Sequence, residues 1–163
     1  MSPSTPAERG RLLYRRTFYV PAGAIADVGA VSTQVRRILR GLGVEPEVVR
    51  RVGIICFEGE TNIAIFTKGG RITLMVWEDR VELFFSDSGP GIEDLELVRR
   101  PGYSTAPDWA RELGFGAGMG IPNMEKNADV FVLRSRPGKG TAIRATVWRS
   151  RDERKGSSAG TGA

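Results

Sequence analysis

Asp87-Ser88-Gly89-Pro90-Gly91-Ile92 follows two runs rich in β-branched and aromatic residues, Arg71 to Glu78 and Arg80 to Ser86, which part at Asp79. The two runs read as a β-hairpin. The quoted stretch then sets a carboxylate at a strand end, next to glycines that let backbone approach a ligand closely. Asp, Gly and Pro also make ordinary strand-ending turns, so the rest of the chain must decide between the two readings.

Upstream, Tyr14 to Val20 reads as a first strand, broken at Pro21-Ala22-Gly23. From Ala24 to Leu42, Val28, Val31, Val35, Ile38, Leu39 and Leu42 recur near the helical period, so an amphipathic helix is expected, ended at Gly41-Leu42-Gly43. Pro46 suits the first turn of a second helix. Val48, Val49, Val52, Ile55, Cys56, Ile63 and Phe66 carry that helix to about Thr67, with Gly69-Gly70 marking its stop.

Downstream, Val130 to Ser135 and Thr141 to Trp148 form a second pair of strands around Arg136-Pro137-Gly138-Lys139-Gly140. Between the two hairpins, residues 87–119 form a long connection rich in glycine and proline, of the kind that is functional or disordered. The order of elements predicts an α+β fold, a two-layer sandwich with helices on one face of a mixed sheet. One domain over residues 14–149 is expected, flanked by a flexible end over 1–13 and a disordered end over 150–163.

Charge narrows the function. The chain carries a formal +5, yet residues 1–16 hold +3 and residues 149–163 hold +2, which leaves the body from 17 to 148 neutral. A basic folded surface for nucleic acid is therefore not indicated. No apolar run approaches the ~20 residues of a membrane span. The N-terminal stretch lacks the pattern of a secretory signal, so a cytoplasmic location is expected. Cys56 is the single cysteine, inside an apolar run, and reads as a buried thiol. There is no histidine, which excludes a phosphorylated histidine on this chain, a histidine-ligated metal and a histidine-based triad.

Two further segments accompany the first. In Glu58-Gly59-Glu60-Thr61-Asn62, near the end of the second helix, a four-residue step puts Glu58 and Asn62 on one helical face. In Gly114-Phe115-Gly116-Ala117-Gly118-Met119-Gly120, alternating glycines lead into a short helix, and bare amides at a helix start suit phosphate oxygens. Each segment alone has an ordinary surface or loop reading. Together, in this order, with Gly138-Lys139-Gly140-Thr141 opening the last strand, they are far more specific.

From about Tyr14 to Trp148 the chain resembles the GHKL ATPases of the Bergerat fold, whose N box matches Glu58 to Asn62 and whose glycine boxes match Asp87 to Gly91 and Gly114 to Gly120. Its small size resembles the stand-alone anti-sigma factor serine kinases and the switch kinase of bacterial stress complexes. Gly102-Tyr103-Ser104-Thr105 and Phe66-Thr67-Lys68-Gly69-Gly70 are closest to the switch-kinase branch. Phe66 stands where many relatives of the N box carry histidine, and no lysine follows Ser104-Thr105.

The resemblance implies ATP and Mg²⁺ as cofactors. It implies that Asp87 accepts from the adenine amine, that Gly91 leaves room for the base, and that Gly89, Ile92 and Thr141 belong to the same pocket. It implies Asn62 as the Mg²⁺ ligand and Glu58 as the catalytic base toward a serine or threonine hydroxyl. The amides of Gly116, Gly118, Met119 and Gly120 would hold the phosphates, with Gly114 in the same cofactor site and Ser104, Thr105 and Arg111 in a lid. The implied partner is a regulatory protein, namely an anti-sigma antagonist, a scaffold or a sigma factor, and an exposed first strand and helix leave room for a homodimer. A nucleotide-gated binding module and the catalytic half of a split histidine kinase remain alternatives to a serine/threonine kinase.

Overall fold

The computed structural model of the 163-residue chain describes residues 10–149. The expected flexible ends fall largely on residues 1–9 and 150–163, outside the described part. Five strands and five α-helices follow in the order β1 (Leu12–Pro21), α1 (Ala30–Gly41), α2 (Pro46–Phe66), β2 (Gly69–Trp77), β3 (Arg80–Asp87), α3 (Leu95–Val98), α4 (Asp108–Glu112), α5 (Gly120–Asn127), β4 (Val130–Arg136) and β5 (Gly140–Trp148).

The strands form one sheet in the order β1-β2-β3-β5-β4. The α+β two-layer arrangement is as expected. Within it the sheet is antiparallel between every pair of described neighbours rather than mixed. Tight hairpins join β2 to β3 and β4 to β5, and hairpins can only make antiparallel neighbours. Leu12 and Leu13 belong to the sheet rather than to a flexible end. The main chain there is held by Glu78 N–H donating to Arg11 O at 3.0 Å and by pairing of Leu12 with Trp77.

The first helix starts later than its periodicity suggests. Ile25–Asp27 is a single 3₁₀ turn, and Gly29 at φ 102° reorients the chain before α1 begins at Ala30. Val31, Val35 and Leu39 then face inward at four-residue steps. The second helix ends as expected, at Phe66, and Gly69 and Gly70, read as marking its stop, are the first residues of β2.

Strand alternation builds the core. Ile72, Leu74, Val76, Leu83, Phe85, Ile143, Ala145 and Val147 point to one face and are buried against Val52, Ile55 and Cys56 of α2. Each fully buried aliphatic side chain of this kind contributes roughly 1.5–3 kcal/mol relative to exposure. α2 is the central helix, touching β1, β2, β3 and β5 as well as α1 and α5. Its seat on the sheet is close at Gly59, where any Cβ would collide with the Phe85 ring, so the residue type at 59 lowers Glu58 and Asn62 toward the strand ends. Cys56 is fully buried, and that burial pushes its thiol pKa well up.

The long connection after β3 is ordered into short helices. Asp94 caps α3 by accepting the N–H groups of Glu96 and Leu97 at 3.0 Å. α4 occupies the stretch read as a lid, and its Ala110 is buried. Among the described residues no helix is long and apolar enough to cross a membrane.

Candidate functional site

A cleft of ≈ 350 Å³ opens between the C-terminal half of α2, the ends of β3 and β5, and the segment from Tyr103 to Ile121. That volume lies within the ~300–1,000 Å³ of small-molecule sites. It is lined by Glu58, Asn62, Asp87, Gly91, Ile92, Ser104, Thr105, Gly114, Gly116, Gly118, Met119, Gly120 and Thr141, so three sequence segments that lie far apart meet around one space.

Two residues expected at the site sit beside it. Gly89 does not line the cleft. Its N–H donates to Asp87 Oδ1 at 2.9 Å, and a Cβ there would press on Thr67 at 2.9 Å. Arg111 lines a neighbouring depression with Gly102, Ser104 and Phe115, and its Nη2 donates to Ser104 O at 3.2 Å. Gly91 does border the cleft, but its positive φ of 75° and the contact a Cβ would make with Arg136 O tie it to the β4–β5 turn. That close backbone approach by itself requires glycine.

At the inner end, Asp87 closes β3. Burial pushes its carboxyl above the ordinary range, opposed by N–H groups of Gly89 and Thr141. A carboxylate offers about four acceptor positions. Two amides therefore leave capacity for a further N–H donor from the cleft. Around Asp87, Ile63, Phe85, Ile92 and Ile143 give apolar walls that suit a flat ring.

Ser135, which sequence reading did not single out, binds this end together. Its hydroxyl accepts the Ile92 N–H at 2.8 Å, donates to Gly140 O at 2.9 Å and lies 2.8 Å from Thr141 Oγ1. The Asp87 box and the last hairpin are thus one unit.

At the outer end, Gly114, Gly116 and Gly118 have φ of 86°, 78° and 75°. Alternation of left-handed and ordinary backbone turns successive amides to one side, the arrangement that holds anions. Side chains would also clash: a Cβ on Gly116 meets Ala106, and one on Gly118 meets the backbone of Gly102. Gly120 starts α5 against α2, where a Cβ would lie 3.0 Å from Asn62 Oδ1 and 3.5 Å from Glu58 Oε2. A side chain at 120 would press on both groups, and glycine keeps the start of α5 close to them.

Asn123 is the second residue missed by sequence reading. One turn into α5, its Nδ2 donates to Glu58 Oε1 at 3.1 Å. Glu60, between the two N-box residues, faces the other way: it is 3 % exposed and accepts the N–H groups of Val31 and Ser32 at 3.2 and 3.3 Å. Burial raises its pKa, and those amides oppose the rise. Its part is to cap α1.

A dedicated metal cage is not what this cleft offers. Among the described residues no group of three or more His, Cys, Asp or Glu side chains gathers. One amide oxygen at Asn62 beside a bed of free N–H groups instead fits a hard cation that arrives with phosphate oxygens, as Mg²⁺ does.

Similar proteins point the same way. No family model matches the chain. It is 36% identical over 102 residues to an anti-sigma F factor of Clostridium acetobutylicum, covering 60% of this chain and 68% of that protein. It is 29% identical over 126 residues to the serine/threonine-protein kinase RsbT of Bacillus subtilis, covering 75% of this chain and 89% of that one. An anti-sigma F factor of Pasteuria penetrans is 32% identical over 104 residues, 66% of its length. Over 85% of the chain the fold matches a structure described as the SiaB-SiaC complex from Pseudomonas aeruginosa, with TM-score 0.57, 15% identity and 90% of that chain covered. With the N box and both glycine boxes converging on one cleft, the chain belongs to the GHKL family of anti-sigma F factors and RsbT-type serine/threonine kinases.

Proposed function

We propose that this chain is a Mg-ATP-dependent serine/threonine protein kinase that acts in the cytoplasm on a regulatory protein partner. The observation that carries the reading is the cleft in which Glu58 and Asn62 face Asp87 and the Gly114–Gly120 backbone. Asp87 accepts the exocyclic amine of adenine, and a base lacking that donor would leave a half-buried carboxylate unpaired. The amides of Gly116, Gly118, Met119 and Gly120 grip the phosphates, while Ser104 and Thr105 close over them. The Gly114 N–H is held by Arg111 O at 2.9 Å, so Gly114 serves only to line the cleft. Asn62 would hold Mg²⁺, which supplies charge neutralisation at the phosphates.

Glu58 takes the proton of the attacking serine or threonine hydroxyl. The hydroxyl oxygen forms the bond to the γ-phosphorus as the β–γ bridging bond breaks, and ADP leaves with that electron pair. Arg111 stays on the lid, bound to Ser104 O, and is assigned no step.

A second reading is a nucleotide-gated binding module that transfers little phosphate. Relatives named anti-sigma F factor favour it, as do Trp109 and Leu113, which are 44% and 61% exposed on the lid. Calorimetry with Mg-ATP on the wild type and Asp87→Asn tests the shared foundation, and absence of binding to the wild type would end both readings. Given binding, Glu58→Ala separates them. A kinase loses partner labelling about 10²-fold or more with nucleotide affinity kept. A gated binder keeps nucleotide-dependent complex formation in that variant.

A further inference from the structure

On the face of the sheet that the helices leave uncovered, five arginines are exposed: Arg15, Arg71, Arg134, Arg136 and Arg144. They come from four strands, and strand alternation puts them opposite the buried positions Phe18, Ile72, Leu133 and Ile143. Register gathers them. Arg71 lies across Ser86 and Ala142 from Arg134, and Arg144 lies one row away, directly opposite Phe84.

The single carboxylate in these rows is already engaged. Glu82 accepts from Arg80 Nε at 2.9 Å and from Trp77 Nε1 at 3.1 Å, and Arg80 stacks on Trp77 at 4.3 Å. Among the described residues no carboxylate pairs with any of the five. Residues 1–9 and 150–163 hold no acidic excess that would neutralise them. Apolar surface lies between the arginines: Tyr19 is 71% exposed under Arg71 at 5.6 Å, and Phe84 is 39% exposed.

We infer that this face docks an acidic protein surface, whose Asp and Glu carboxylates pair with the arginines around Phe84 and Tyr19. Guanidinium groups match carboxylates in bidentate fashion, and aromatic residues with arginine are the residues enriched at protein interfaces. A nucleic-acid strand fits less well. The folded body from 17 to 148 carries no net charge, so the overall basic excess that a phosphate backbone calls for is lacking. A second copy of the same face would set arginine against arginine. The nucleotide cleft is on the helical side of the sheet, so this inference stands apart from the kinase reading.

The test uses the full chain and three probes: a fluorescent peptide of repeating Glu-Tyr, an oligo-dT strand and vesicles of phosphatidylglycerol. Arg71→Glu with Arg144→Glu reverses two charges on the face. Arg37→Glu with Arg40→Glu makes the same change in net charge at exposed positions of α1. The face reversal is expected to weaken peptide binding about 10-fold or more, the α1 reversal less than about 2-fold, with ATP affinity unchanged in both. Should the first pair fail to fold, Arg134→Glu with Arg136→Glu takes its place on the edge strand. Equal losses in face and α1 variants would overturn the inference, reducing it to overall charge. So would tighter binding of the oligonucleotide or vesicles that the face reversal abolishes, or a dimer in sedimentation that the face reversal dissociates.

Discussion

The side-chain amide of Asn123 donates to Glu58 Oε1 across 3.1 Å, joining the helix that follows the glycine loop to the helix that carries the proposed base. A donor at that position holds one carboxylate oxygen and leaves the other toward the cleft. Asn123→Ala is expected to lower kcat about 5- to 10-fold while the dissociation constant for Mg-ATP changes less than about 2-fold. Single-turnover labelling of the partner and calorimetry give the two numbers. Equal changes in both would mean that Asn123 serves folding and not the position of Glu58.

Asp87 carries a dependence on pH. Its folded pKa is raised, so the ionised form is the costly one in the fold. Its share of stability is complete below the ordinary carboxylate pKa of roughly 4 and is lost as pH rises through the raised value. Asp87→Asn has no such loss. Without nucleotide, the Tm of the variant minus that of the wild type should become more positive from about pH 4 to about pH 7. Calorimetric scans across that range check it, and a difference independent of pH would contradict the burial account. ATP affinity of the same variant should fall about 10-fold or more.

Glu60 makes a different prediction. Removing its carboxylate leaves the Val31 and Ser32 N–H groups unpaired in a buried place, at a cost of about 1–3 kcal/mol. Glu60→Ala should lower the urea midpoint accordingly. Glu60→Gln keeps an acceptor oxygen and should lose less. Equal losses in the two variants would show that charge at the start of α1, and not pairing, is what matters.

The glycine loop separates packing from backbone strain. Gly114 and Gly118 both have positive φ, but a Cβ meets nothing within 4 Å at Gly114 and the Gly102 backbone at Gly118. Gly114→Ala carries the left-handed cost of roughly 1–2 kcal/mol alone, whereas Gly118→Ala adds a clash that must move the lid. Mg-ATP affinity should therefore fall several-fold more in Gly118→Ala than in Gly114→Ala. Equal losses would mean that the lid accommodates the methyl group.

Much of the fold was legible in order along the chain because its signals are local. The 3.6-residue recurrence of Val31, Val35 and Leu39, the proline that starts α2 and the alternation in β2, β3 and β5 each act within a few residues. The start of α1 was misread because Val28 continues the apolar pattern, while Gly29 takes a backbone angle that pattern does not report. The long segment after β3 was legible as important but not as structured. α3 and α4 are only four and five residues long, too short for periodicity to show.

Residue order alone, then, was enough for the helices, the strands and the three polar segments, since each depends on neighbours a few positions away. Partners across the sheet and between helices needed the folded chain. Asn123 reaches Glu58 over 65 positions, Ser135 reaches Ile92 over 43, and arginines from four strands share one face. The turn of an α-helix explains why Glu60 parts from its neighbours: two residues on from Glu58 is about 200° around the axis, so adjacent carboxylates in one motif serve opposite sides. Which side meets a cleft and which meets another helix is set by how α2 lies on the sheet, and that is a property of packing.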